Sequence, residues 1–217
     1  MQPTRTSLQT TILLAAAFLI VGTVPASASA RGEFERTLKV SGTVNLQVET
    51  GSGSIDVRTG TSNEVHVVGH IRANEWFGDN AEEKVRRLES NPPIQQSGND
   101  IRIGHIDDPE LKHNISISYE LVVPASTALR ASSGSGSQTI LGISGSLEAS
   151  TGSGSVQLRL PQNASFDLNA HTGSGSINLS HPVTVQGSIG RKEVRGKVGG
   201  GGVPIEVQTG SCSILIE

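Results

Sequence analysis

From Val44 onward the chain alternates. Val44, Leu46 and Val48 fall on one side of an extended backbone, and Asn45, Gln47 and Glu49 on the other, which is the period of a half-buried strand. Thr-Gly-Ser-Gly-Ser at 50–54 interrupts the pattern, and alternation resumes with Ile55 and Val57. The same unit recurs. Leu129 and Ala131 precede the motif at 133–137, Leu147 and Ala149 precede 151–155, and Phe166, Leu168 and Ala170 precede 172–176. Val203, Ile205 and Val207 precede the variant Thr-Gly-Ser-Cys-Ser at 209–213. Apolar residues return after each copy, as Val156/Leu158/Leu160, Ile177/Leu179 and Ile214/Ile216, except that Gln138 takes the first such slot after 133–137. The residue just before the motif is polar in every copy: Glu49, Ser132, Ser150, His171 and Gln208.

The three central copies begin 18 and 21 residues apart. A period near 20 with glycine punctuation predicts stacked coils, each covering the apolar face of the next. The expected fold is all-β: a single-stranded β-solenoid with coils of about 18–21 residues and one short helix. Val48 and Ile55 are seven residues apart, so unbroken alternation cannot place both inward. One residue must be inserted at a corner, and the first Gly of each motif, free to take a positive φ, is the expected position. Counting back from Ile55 turns the second Gly inward, and Cys212 replaces that second Gly in the last copy.

Two stretches leave the pattern. In the first, from about 69 to 110, Asn80-Ala-Glu-Glu83 predicts a capped helix over 81–90 with Val85 and Leu88 on one face, stopped by Asn91-Pro92-Pro93. The second, 187–202, separates two motif copies by 37 residues and is expected to hold an imperfect coil around Val194–Val198. The chain stops on Ile214-Leu-Ile216-Glu217, which predicts an uncovered last strand through which copies could join end to end.

The N-terminal 30 residues read differently. Arg5, the apolar run Ile12 to Val21 and Ala26-Ser-Ala28 or Ala28-Ser-Ala30 form the pattern of a secretory leader. The domains are then a signal peptide at 1–30 and one domain at 31–217 with no transmembrane span, exported to the periplasm, the cell surface or the medium. Without Arg5 the remainder carries 16 Lys+Arg against 20 Asp+Glu, a net charge of −4. A mildly acidic chain with no basic block argues against nucleic acid as a partner. Cys212 is the only cysteine, so no intrachain disulfide forms. One Trp, one Tyr and four Phe in 217 residues leave little for sugar stacking or base stacking.

Candidate chemistry is sparse. The glycine motifs run into strands and lack the Lys of a phosphate cradle, and the residues after them lack the repeated Asp of calcium-binding rolls. Asp107, Asp108 and Glu110 read as a solvated turn. His66 and His70 share one face of a strand but stand about 13 Å apart, too far to share a metal. No Ser lies in a nucleophile elbow. Neither catalysis, cofactor nor metal is expected. Trp76-Phe77, in the first interruption, is the expected binding surface if exposed, since two of the few aromatics adjoin there.

The Thr-Gly-Ser-Gly-Ser units, Tyr119-Glu-Leu-Val-Val-Pro124 and Gly199-Gly-Gly-Gly-Val-Pro-Ile-Glu-Val-Gln-Thr-Gly-Ser211 resemble the bacterial "putative adhesin" family, exported domains of unknown function, over about 34–217. The resemblance implies a β-solenoid and surface adhesion, with no catalytic residues to carry over. The expected function is a non-enzymatic envelope or surface binding module whose partner is an envelope polysaccharide or protein. The alternative is a structural or regulatory envelope protein that self-associates through solenoid edges, its C-terminal strand above all.

Overall fold

A computed structural model describes residues 29–74, 80–180 and 186–217. Chain order begins with β1 (Ser29–Lys39), β2 (Asn45–Ser52), β3 (Ile55–Gly60) and β4 (Glu64–Asn74). Next come α1 (Ala81–Ser90), β5 (Ile94–Ser97), β6 (Asp100–Ile103), α2 (Pro109–Lys112) and β7 (Ile115–Pro124). Three motif units follow as pairs: β8 (Ala128–Ser135) with β9 (Gln138–Leu141), β10 (Leu147–Thr151) with β11 (Val156–Arg159), and β12 (Phe166–Thr172) with β13 (Ile177–Leu179). The described chain closes with β14 (Gln186–Ile189), β15 (Glu193–Val198), β16 (Val203–Thr209) and β17 (Ile214–Ile216).

The strands form two mixed sheets, ordered β1-β4-β7-β3-β9-β11-β17-β13 and β14-β15-β12-β16-β10-β8-β2-β6-β5. Each motif unit gives the strand before its glycines to the nine-stranded sheet and the strand after them to the eight-stranded one. Equivalent strands of neighbouring units pair in parallel and in register, as Leu147 does with Leu129 and Val156 with Gln138. Most of the predicted inward residues of both sheets meet in one hydrophobic cluster, where Val48, Ile55, Ala131, Ile140, Leu158, Phe166, Val207 and Ile214 are fully buried. Val203, also expected inward, is instead 37% exposed at the start of β16, and Ile177 and Leu179 are half-buried. Alternation thus assigned most of the strand core, while Phe34 of β1 and Val85 and Leu88 of α1 join it from outside the repeat.

Four expectations need correction. A single continuous winding is not what forms, because antiparallel strands end the eight-stranded sheet at β1 and the nine-stranded sheet at β14 and β5, and the units do not stack in chain order. The last unit, β16 and β17, inserts between β10/β11 and β12/β13. The C-terminal strand is consequently not an uncovered edge: Ile214 pairs with Val156 on one side and with Ile177 on the other. The imperfect coil expected around Val194–Val198 is instead an antiparallel hairpin, β14 with β15, that covers the edge of β12.

The fourth correction concerns the glycines. Among motif glycines only Gly53 has a positive φ, of 144°; the first glycines do not bend the chain through the left-handed region. They stack in columns. A Cβ on Gly134 would lie 2.6 Å from the carbonyl oxygen of Gly51, one on Gly152 2.6 Å from that of Gly134, and one on Gly210 2.5 Å from that of Gly152. The physical demand is close approach of backbones at the corner, for which the missing side chain matters more than the freedom of φ. Cys212 sits half-buried in the second column, and nothing in the structure explains why this unit alone carries a side chain there.

Beside the glycines runs a column of inward hydroxyls that the sequence did not reveal. Thr209 Oγ1 donates to the carbonyl oxygen of Gly154 at 2.8 Å, Thr172 Oγ1 to that of Cys212 at 2.7 Å, and Ser133 Oγ to Thr151 Oγ1 at 2.9 Å. Corner carbonyls that no strand partner serves are thereby satisfied.

The first interruption is an end cap. β4 continues the sheet to Asn74, pairing with β1 and β7. The helix forms as the capping residues predict, with Asn80 Oδ1 accepting from the Glu83 N–H at 3.0 Å. It lies against the inner side of β1, where a Cβ on Gly32 would meet Val85 at 2.4 Å. Val85 and Leu88 join the core.

Candidate binding face

The register that aligns the core also aligns the opposite side of the nine-stranded sheet. Side chains two positions apart face the same way, so one outward residue per strand falls into a row: Gln95, Arg102, Gln47, Arg130, Glu148, Glu206 and Asn169. Six of these seven strands line a groove of about 760 Å³. Its polar groups are partly tied to one another. Arg130 meets Glu148 at 2.6 Å, Asn45 Nδ2 donates to Asp100 Oδ1 at 2.7 Å, and Gln208 Nε2 donates to Glu206 Oε1 at 2.7 Å. The Arg130–Glu148 pair is exposed on both sides, so it contributes little to stability.

A second row, Glu49, Ser132, Ser150, Gln208 and His171, is the set of polar residues that precede the motifs. At its Glu49 end the segment between β6 and β7 folds over the corner and borders a separate, half-open cavity of about 600 Å³. His105 bridges two carboxylates there, with Nδ1 2.6 Å from Glu49 Oε1 and Nε2 3.0 Å from Asp107 Oδ1. Tyr119 lines the same cavity. Burial pushes its hydroxyl far above the ordinary phenol range, and the Glu49 charge adds to the effect.

Trp76 and Phe77, the expected binding surface, lie outside the described residues. The histidines on the strand are paired with acids: His66 Nε2 stands 2.7 Å from Glu35, and His70 reaches Glu33 and Glu120 at 3.2 Å each. In the acidic turn, Asp108 caps α2 by accepting the Glu110 N–H at 2.9 Å and pairs with Arg87 of α1 at 2.7 Å, so that carboxylate is a structural tie. Among the described residues no group of three or more His, Cys, Asp or Glu is placed to hold a metal ion, and no helix is long and apolar enough to cross a membrane.

Sequence reasoning located the outward columns but missed both concavities. Glu49 and His105 are 56 residues apart, and no spacing rule joins them. A weak signal was available in Gly104, whose φ of +90° turns the chain over the corner.

A solved structure titled a "putative cell adhesion protein", from Clostridium sporogenes, is similar to this chain over 86% of its length and 99% of that chain, with a TM-score of 0.54 at 14% identity. A second, titled a "putative adhesin", from Bacteroides fragilis, aligns over 86% and 97% with a TM-score of 0.32 at 11% identity. No curated protein matches. Residues 37–217 match Toastrack DUF4097, so the resemblance drawn from the repeats holds at the level of the family: the chain belongs to the Toastrack DUF4097 family.

Proposed function

We propose that this protein is an exported, non-enzymatic binding module of the cell envelope, and that it holds a polar polymer across the outward face of its nine-stranded sheet. The stacked motif units act as a solenoid-like scaffold whose only task is to hold side chains in rows. The observation that carries the reading is the row through Arg102, Gln47, Arg130, Glu148 and Glu206, in register on five adjacent strands and lining one groove. Repeated polar groups at the strand spacing of about 4.8 Å suit a ligand that is itself repetitive and extended. The adhesion named for the Clostridium neighbour and the leader-like pattern at 1–30 point in the same direction.

The test is retention of the protein on immobilised envelope polysaccharides and on matrix proteins, compared with an Arg130→Glu, Gln47→Ala variant. Retention lost in the variant, with its unfolding transition unchanged, supports the reading. Equal retention of both proteins overturns it.

Self-association is the second reading, and it moves from the C-terminal strand to the strands that end the sheets. β13 is favoured, because it ends the eight-stranded sheet with Ile177 and Leu179 only half-buried. Sedimentation that is independent of concentration would exclude it.

A further inference from the structure

We propose that the cavity under the 104–112 segment is a specific site for a small, neutral, polyhydroxylated molecule, a single sugar ring or a polyol of that size. The cavity opens at the corner of the first two stacked motif units, between Thr50, Gly51 and Ser133 and the beginning of β7. One wall is aliphatic, from Ile106, Leu111 and Ile117; the other is polar, from Glu49, His105 and Ser132.

Tyr119 is the observation that points to a ligand. The residue lines the cavity and is 1% exposed, yet its hydroxyl has no hydrogen-bond partner in the protein. A buried polar group left unpaired is costly and is seldom kept without a use. Gly104 packs close beside it: a Cβ there would run into the Glu49 carbonyl oxygen and stand 3.2 Å from the hydroxyl, so only glycine fits next to Tyr119.

The charges select against ions. Glu49 and Asp107 both face His105, and Lys112 also lines the cavity. An anion would meet Glu49, and a metal cation would meet Lys112. Hydroxyl groups meet no such conflict: the carboxylate accepts from them, Ser132 donates or accepts, and the Tyr119 hydroxyl gains the partner it lacks. The aliphatic wall complements the C–H face of a sugar ring. A shortage of aromatic residues speaks against a stacking groove for a polysaccharide, whereas a pocket with an aliphatic wall needs no stacking platform.

This site does not rest on the sheet-face reading, because the cavity and the groove over Arg130 share no lining residue. Tyr119 is the only tyrosine of the chain, so meta-fluorotyrosine gives one fluorine resonance that reports on the cavity. The exported chain is titrated with the methyl glycosides of glucose, galactose and N-acetylglucosamine and with myo-inositol. The expected result is a saturable shift of that resonance with at least one probe. Calorimetry then finds Tyr119→Phe about tenfold weaker, with an unfolding midpoint no lower than that of the parent, since the deleted hydroxyl has no partner to lose. Arg130→Glu leaves this binding unchanged. A resonance that stays fixed with every probe overturns the proposal, as does equal binding by Tyr119→Phe or loss of binding in Arg130→Glu. Retention of polymers on the sheet face is read separately, so either reading can fail alone.

Discussion

A side-chain carbon built on Gly154 would stand 2.0 Å from the carbonyl oxygen of Gly136 in the neighbouring unit. The corner is therefore a place where backbones touch. Gly136 against Gly53, at 1.9 Å, and Gly175 against Cys212, at 2.1 Å, repeat the relationship. Gly51 ends its column and would meet nothing within 4 Å, and its φ is not positive. Gly154→Ala is expected to lower stability by about 1–3 kcal/mol, as overpacking does. Gly51→Ala is expected to be neutral or to add about 0.4–1 kcal/mol by restricting the unfolded chain. Urea unfolding of the two variants checks the contrast. If the corner used its glycines for a left-handed φ instead, both substitutions would be costly.

Gln138 is the apolar column's polar member. It lies between Ile55 and Val156, is fully buried, and leaves Oε1 unsatisfied while Nε2 donates to the Ser150 carbonyl at 2.7 Å. The unpaired oxygen and the good hydrogen bond oppose each other. Gln138→Ile, which restores the column, is expected to change stability by less than about 1.5 kcal/mol. Gln138→Ala leaves a hole as well and is expected to cost about 2 kcal/mol or more. Thermal unfolding of both distinguishes them, and a large loss in the Ile variant would show that the Ser150 contact dominates.

The position of the last strand carries a third prediction. Ile214 is fully buried between two parallel neighbours, whereas Leu215 is half-exposed on the outward side. Leu215→Lys is expected to leave both the sedimentation coefficient and the unfolding midpoint nearly unchanged. Ile214→Ala is expected to cost about 2–5 kcal/mol. A change of oligomeric state in Leu215→Lys would restore the C-terminal strand as a contact between copies.

These corrections mark what the sequence could and could not convey. Alternation assigned Val44, Leu46 and Val48 to the core with Ile55 and Val57 because strand period and burial are local properties. The helix was legible for the same reason, since Asn80 and Glu83 make their contact within one turn. The stacking order was not. Every unit offers the same apolar face and the same glycine corner, so nothing local tells β16 to pair with β10 and β12 rather than to extend the stack. β1 was missed because Glu35, Arg36 and Thr37 break its pattern, and its inner side meets a helix instead of a sheet. The two concavities depend on that global order. Arg102 and Arg130 become neighbours of Gln47 only when β6 and β8 flank β2.

The tie between α1 and the cavity segment gives a pH dependence. The Asp108 carboxyl is held below its ordinary value, first by the Glu110 N–H it accepts and then by hydrogen bonding and charge from Arg87. A carboxyl with a depressed folded value contributes stability above the unfolded value of about 4, and loses it as pH falls through the lower folded value. From neutral pH down to about 5 the tie should hold, and in more acid solution α2 and the segment around His105 should loosen before the two sheets do. Amide hydrogen exchange at Glu110 and Leu111, followed from pH 6 into the acid range and corrected for intrinsic rates, should show protection falling there while Val156 and Ile214 stay protected. Asp108→Asn keeps an oxygen for the cap but loses the charge. It is expected to show reduced protection at Glu110 already at neutral pH, with little further acid dependence. An unchanged acid response in that variant would show that the Asp108 carboxylate is not the source of the loosening.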